Sequence, residues 1–389
     1  MTTPTWPFQR AFPGGLVDGT DVPAAAELIL MDQQVARAAS GDLHNEGTVA
    51  KDWTASDTVP TFTNIGLVDT AFAYDYLRDQ MTFCYADTSG GSNPVRAFTS
   101  TSGGRIWSDT GFTGGGISTA RPTSASSDGN GVTAFAFQAF NSSTPSVCWT
   151  DDGWATRHTI TPGVYPVALH YSKSLALWVI MTFDGHIYSA PTIGGTWTLQ
   201  ATLGIQANQA VVAEGNGLIL ISFWDATNSA AKVWGSPDAI TWTAKSVPFS
   251  AHTGDAAKIA FSRAGFFVAV HSGGISGGGV HESSYSADGQ TWVQTAGNTT
   301  IPRNFRNLAC FNSMLVGGAR DALTDSIPEI WRSFDLGITW RRSGVFHQQV
   351  LIATLDFTDV RVVDGGLIAV YTDMVHNTCT IYRSPRIGY

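Results

Sequence analysis

Short apolar runs recur along this chain and set the frame for reading it. They open near residue 81 ("MTFCYAD"), 132 ("VTAFAFQAF"), 175 ("LALWVIMTF"), 217 ("GLILISFWD"), 265 ("GFFVAVHSG"), 313 ("SMLVGGARD") and 366 ("GLIAVYTD"). Most are rich in β-branched and aromatic residues, and Gly, Ser, Asn or Asp recur at their ends. That is how a buried strand ending in tight turns reads. The runs lie about 40–50 residues apart, which is room for four short strands and their turns.

A second pattern falls between the runs. "SFDLGITW" is Ser333 to Trp340, "SADGQTW" is Ser286 to Trp292, and "SPDAITW" is Ser236 to Trp242. "TDDGWATR" (Thr150 to Arg157) is a looser relative, "SAPTIGGTW" (Ser189 to Trp197) lacks the Asp, and "WSDTGFT" (Trp107 to Thr113) keeps Asp, Gly and Thr. An Asp in such a hairpin can accept hydrogen bonds from backbone N–H groups a few residues on. Gly supplies a positive φ, and a Trp ring offers a large face for packing. Asp109, Asp152, Asp238, Asp288 and Asp335 are therefore expected to staple turns, with Trp197, Trp242, Trp292 and Trp340 packing between units.

Seven runs accompany six such turns. The chain ends "IYRSPRIGY", like the strand that opens a turn, and "KDWTASDT" (Lys51 to Thr58) reads like the strand that follows one. Joining them completes the seventh unit.

The S-x-D-x-G-x-T-W pattern resembles the Asp-box (BNR) repeat of sialidase-like β-propellers, over the whole chain except its first fifty residues. The resemblance implies that each box is the hairpin between the third and fourth strands of a blade. The expected fold is all-β: a seven-bladed propeller over residues 51–389, closed by an N-terminal strand in the C-terminal blade, with an arm and short helix over residues 1–50.

Catalytic members of that family are similar to one another in a three-Arg clamp, a Tyr/Glu pair, an acid/base Asp and an early Phe/Tyr-Arg-Ile-Pro motif. No such motif occurs here, and the nearest string, "IPRNF" (Ile301 to Phe305), is scrambled and falls in the sixth unit. Only Glu214, Glu282 and Glu329 lie downstream of residue 50. G-x-S-x-G, P-loop and H-E-x-x-H signatures are absent from the sequence. The expectation is a non-enzyme, with a glycosidase of atypical site as the alternative.

A ligand face is expected at the loops between second and third strands. There the sequence places Asp184 and His186, Trp224 and Asp225, His271, Arg320 and Asp321, Tyr371 and Asp373, and His376. Rings beside carboxylates and imidazoles suit sugars, although Asp and Gly also simply make turns.

The first fifty residues differ. In "VDGTDVPAAAELILMDQQVARAASGD", Asp21 suits a helix N-cap, Pro23 the first turn and Gly41 the stop. Leu28, Met31 and Val35 lie on one apolar seam of this expected helix. An aromatic, Pro/Gly-rich arm precedes it. Arm, helix and β-rich body together resemble the organisation of tailed-bacteriophage virion proteins.

Composition narrows the rest. Charged residues are 14% and apolar residues 43% of the chain, with 41 glycines, as befits a turn-rich β protein with a large core. A net charge of −9 argues against nucleic acid as a partner. Cys84, Cys148, Cys310 and Cys379 sit in apolar runs without metal-ligand spacing, so reduced, buried cysteines and no metal or cofactor are expected. No secretory signal or membrane-spanning run is read. The resulting expectation is a virion (tail) component made in the host cytoplasm. It is anchored to other virion proteins through residues 1–50, homo-oligomeric in its assembly, and structural or binding a host surface glycan or receptor. The alternative is a bacterial glycan-binding propeller.

Overall fold

The computed structural model describes residues 54–55, 65–87, 95–113, 120–139, 146–161, 165–249, 256–272, 281–295, 305–311, 314–320, 328–345, 355–363, 366–373 and 378–383. Every regular element among them is a strand. The helix expected over residues 1–50, with Leu28, Met31 and Val35, lies outside the described residues.

After β1 (Thr54–Ala55), six blades follow, each a four-stranded antiparallel meander of consecutive strands. Blade 1 is β2 (Ile65–Asp75), β3 (Gln80–Asp87), β4 (Val95–Ser100) and β5 (Ser108–Thr113). Blade 2 is β6 (Ala120–Ser127), β7 (Thr133–Ala139), β8 (Ser146–Thr150) and β9 (His158–Ile160). Blade 3 is β10 (Pro166–Ser172), β11 (Leu177–Thr182), β12 (His186–Ala190) and β13 (Thr198–Thr202). Blade 4 is β14 (Ala207–Gly215), β15 (Leu218–Asp225), β16 (Ala230–Ser236) and β17 (Thr243–Lys245). Blade 5 is β18 (Lys258–Ser262), β19 (Phe266–Ser272), β20 (His281–Ser286) and β21 (Val293–Gln294). Blade 6 is β22 (Phe305–Phe311), β23 (Met314–Arg320), β24 (Pro328–Ser333) and β25 (Arg341–Val345).

The remaining sheet is composite. β26 (Leu355–Val363), β27 (Gly366–Asp373) and β28 (Thr378–Arg383) are joined by β1, in the order β1-β28-β27-β26. Thr54 lies opposite Arg383 and Ala55 opposite Tyr382. Only six blades are thus self-contained, and the last sheet depends on a two-residue strand from the other end of the chain. The first strands of successive sheets lie side by side, and β26 packs against β2, so the sheets close a ring around an axis lined by these strands.

The second strands form the core. Phe83, Phe135, Phe223 and Phe267 are fully buried, each contributing roughly 1.5–3 kcal/mol by leaving water. Such a strand is covered by a neighbouring sheet on either face, which is why the apolar runs are continuous rather than alternating. The first strands are more polar, because part of their surface meets a neighbour's backbone. In β6, Thr123 and Ser124 donate to the carbonyls of Pro166 and Leu169 over 2.9 Å, and Ser126 accepts the Tyr171 N–H. This Ser/Thr-rich stretch has no apolar run to mark it, yet it is a strand hydrogen-bonded to the next blade.

The turns between third and fourth strands show a common geometry. Asp238 Oδ1 accepts the N–H groups of Ile240 and Thr241 and the Ser236 hydroxyl. Asp288 does the same with Gln290, Thr291 and Ser286. Asp335 accepts from Thr339 and Ser333, and Asp152 from Thr156 and Thr150. The residue after the Asp turns left-handed: Gly289 at φ 66°, and Ala239 and Leu336 both at 58°. Trp242 and Trp340 are buried in clusters that join residues of adjacent blades. Trp292 donates to Ser246 O of blade 4, and the half-buried Trp197 to Ile193 O.

Asp109 is not such a staple. It lies within β5 opposite Phe98, and its carboxylate takes the Gly111 N–H. The turn of blade 1 is the segment before it, where Ser102 Oγ accepts the Ile106 N–H in place of an Asp and Trp107 donates to Gly104 O. A Ser hydroxyl can make the same local bond, so the Asp-x-Gly-x-Thr string misplaces the turn.

Cys84 and Cys148 are buried free thiols, and Cys310 is partly buried. Burial pushes the Cys148 thiol up to about 12 and the Cys84 thiol well above its usual value.

Candidate functional site

An antiparallel blade puts its first and third turns on one face of the ring. Its second turn and the link to the next blade lie on the other, the loop face. The sequence-derived candidates map to the loop face, but they are not equivalent there.

Asp184 and His186 come together. Asp184 Oδ2 lies 2.9 Å from His186 Nδ1, with both side chains about one-third exposed. The turn that carries them is rigid. Gly185 has φ 75°, and a Cβ there would come within 2.8 Å of Ile205 Cγ1 and 3.0 Å of its carbonyl oxygen, so glycine is needed. Phe183 N–H donates to Tyr165 O, Leu203 N–H to Gly185 O and Ala207 N–H to Phe183 O. The loops before and after blade 3 thus hold this turn on both sides. Thr182 Oγ1 donates to Asp184 over 2.5 Å. His186 meets Tyr188 edge to face at 6.1 Å, while Phe183 meets Tyr165 edge to face at 6.2 Å and packs on the core between blades 3 and 4. Burial and the Asp184 charge raise the Tyr188 hydroxyl above its usual pKa, which keeps it a donor.

Asp225 ends β15 fully buried. Its oxygens accept from Thr227 N, Asn228 N and Asn228 Nδ2, so it holds the β15–β16 turn and presents nothing to a ligand. Trp224 beside it is half-buried, opposite Asn208 and Ala231. His271 is buried against Phe249, with rings 5.4 Å apart. Arg320 lies opposite Pro328, Tyr371 opposite Phe357 and Thr380, and Asp373 opposite Leu355 and Thr378. Asp321 and His376 lie outside the described residues.

The opposite face holds a cluster that the loop-based reading passes over. Glu214, at the end of β14, reaches back to blade 3. His170 Nε2 lies 2.8 Å from its Oε2, while Ser172 Oγ, Ser174 Oγ and the Ser174 N–H all donate to its Oε1. Burial alone would push this carboxyl up, but those hydrogen bonds and the imidazole charge outweigh it and hold it down at about 2. The sequence signal was Glu214's rarity among the residues after position 50. Its partners are some 40 residues away, and nothing local points to them.

Among the described residues, no group of three or more His, Cys, Asp and Glu side chains could hold a metal, and no helix is long and apolar enough to cross a membrane.

Solved structures share this architecture. A structure of YCF48 bound to D1 peptide aligns with TM-score 0.58 at 15% identity, covering 86% of this chain and 96% of the other. YCF48 from Cyanidioschyzon merolae aligns at 0.53 and 13%, covering 86% and 98%. The GH74 xyloglucanase from Xanthomonas campestris aligns at 0.50 and 14%, covering 78% of this chain and 50% of that one. The fold is a β-propeller. At such identities the likeness shows the fold alone. No protein-family model and no curated protein matches the chain.

Proposed function

We propose that this propeller is a non-enzymatic binding protein whose loop face engages a glycan, and that it serves as a tail component of a phage particle held by residues 1–50. The observation that carries the binding reading is the locked Asp184-Gly185-His186 turn. It offers a partly exposed carboxylate–imidazole pair, with the Tyr188 ring against His186, on backbone held from both sides. Rings and charge-bearing acceptors fixed in place suit a sugar's apolar face and hydroxyls.

The resembling propellers include one described bound to a peptide and one named a xyloglucanase, so the ring itself does not choose between binding and catalysis. The carboxylates favour binding. A glycosidase acid needs a raised pKa. Among the described residues the carboxyls that shift, Asp152, Glu214, Asp238 and Asp288, are all held down at about 2. Each is engaged by hydrogen bonds within the fold. The virion assignment rests on the sequence: the Asp-box-like repeat, and the arm and helix ahead of it.

The test is binding of the labelled full chain to a glycan array and to bacterial cells, alongside His186→Ala and Trp224→Ala. Loss of binding with unchanged melting supports the loop face, whereas variants that bind like wild type remove it. Solution mass of the full chain and of a chain lacking residues 1–50 tests the anchor. Assembly only with those residues present supports it; two equal monomers leave self-assembly without a basis.

A further inference from the structure

Beside Glu214, the turns between first and second strands of blades 2, 3 and 4 border an open groove of about 550 Å³. Its lining includes Ser126 from blade 2, Tyr171, Lys173 and Ser174 from blade 3, and Asn216 and Gly217 from blade 4. It lies on the opposite face from the Asp184–His186 turn.

The chemistry of the lining is specific. The groove's own carboxylate, Glu214, is taken up by His170, Ser172 and Ser174. Lys173 is exposed, with its ammonium 4.4 Å from the centre of the Tyr76 ring, and it makes no ion pair among the described residues. The ring quadrupole attracts the ammonium and biases where it sits. Asn216 spends both amide hydrogens on Gly265 O and Ala287 O, which leaves Oδ1 to accept. Ser126 Oγ accepts the Tyr171 N–H and keeps its own hydrogen to donate. Burial and the Asp128 charge raise the Tyr171 hydroxyl, so it remains a donor. A Cβ on Gly217 would meet nothing within 4 Å, so that wall stands open.

Small neutral donors and acceptors mixed with tyrosine rings suit the hydroxyls and apolar face of a sugar. One cation outside any ion pair among the described residues adds a preference for a carboxylate. A peptide added as a strand would need a free sheet edge, and the first strands here are each hydrogen-bonded within their own sheet and flanked by neighbouring blades. A polyphosphate ligand would need several cations rather than one. We propose that this groove is a second binding site, for a carboxylate-bearing sugar unit of the hexuronic acid class, with Lys173 on the carboxylate and Ser126, Tyr171 and Asn216 on the hydroxyls.

The experiment is calorimetric titration of the full chain with a hexuronate oligosaccharide and with a neutral oligosaccharide of the same linkage. It is repeated on Lys173→Ala and His186→Ala, each checked by thermal melting. The expected result is binding of the acidic oligosaccharide that weakens with added salt and is roughly tenfold weaker in Lys173→Ala. The proposal is overturned if the acidic oligosaccharide gives no heat, or if the neutral one binds as tightly. It is also overturned if Lys173→Ala binds like wild type, or if binding is lost in His186→Ala and kept in Lys173→Ala, which would place the sugar on the loop face.

Discussion

Asp75 Oδ1 accepts the backbone N–H of Gly131 over 3.1 Å and so ties β2 of blade 1 to the β6–β7 turn of blade 2. The same carboxylate takes the Leu77 N–H and pairs with Arg78 at 2.9 Å. Arg78 in turn donates to the carbonyls of Gly131 and Asp151. Asp75 is 1% exposed, so its charge is stable only with these partners in place. Asp75→Ala is expected to cost about 3 kcal/mol by stranding Arg78 and the Gly131 N–H. Urea unfolding would show a lower midpoint at an unchanged slope; a shift within error would mean the blades hold together without this link.

The turn staples should behave differently from ligand residues. Asp335→Ala removes the acceptor for Thr339 and Ser333 and is expected to cost about 1–2 kcal/mol while leaving glycan binding intact. Unchanged melting together with lost binding would reverse that assignment.

Acid should weaken the ring through four carboxyls that hydrogen bonds hold ionised. Asp152, Asp238, Asp288 and Glu214 all have folded pKa values lowered to about 2 from ordinary values near 4. A depressed carboxyl adds stability that is fully present above its unfolded pKa and is lost as pH falls through the folded one. Melting temperature is therefore expected to hold near neutrality and to fall between about pH 4 and pH 2. In Asp238→Asn the fall in this window should be shallower than in wild type. An identical profile would show that Asp238 is not among the groups responsible.

The last sheet is completed by two residues of β1 against β28, beside the packing of β26 on β2 that closes the ring. A chain starting at residue 51 keeps Thr54 and Ala55 and is expected to fold. One starting at residue 60 leaves the edge of β28 unpaired, and an exposed edge invites association. Size-exclusion chromatography and melting of the two truncations decide this: equal behaviour would mean that β1 does not matter to closure.

Much of the fold was legible because its signals are local. Asp238 bonds to N–H groups two and three residues on, and Gly289 adopts its positive φ within the same turn. The apolar runs mark second strands because burial on both faces leaves no polar alternation. Where the signal was local but ambiguous, it slipped: a Ser at 102 does the work that the pattern assigned to Asp109. Asp225 looked like a ligand group and is a buried turn residue, since the same carboxylate chemistry serves both roles.

The sequence by itself determined the repeat, its size, the buried second strands and the stapled turns, since each depends on residues within one turn or on a strand's own apolar content. Only the tertiary structure decided that polar "ARPTSASS" is a strand, that Glu214 meets His170 44 residues away, and that Asp75 meets Gly131 56 residues away. Those contacts form when the first strands of neighbouring blades converge on the axis. They are made by side chains with no hydrophobic period to announce them, so only ring closure brings them together.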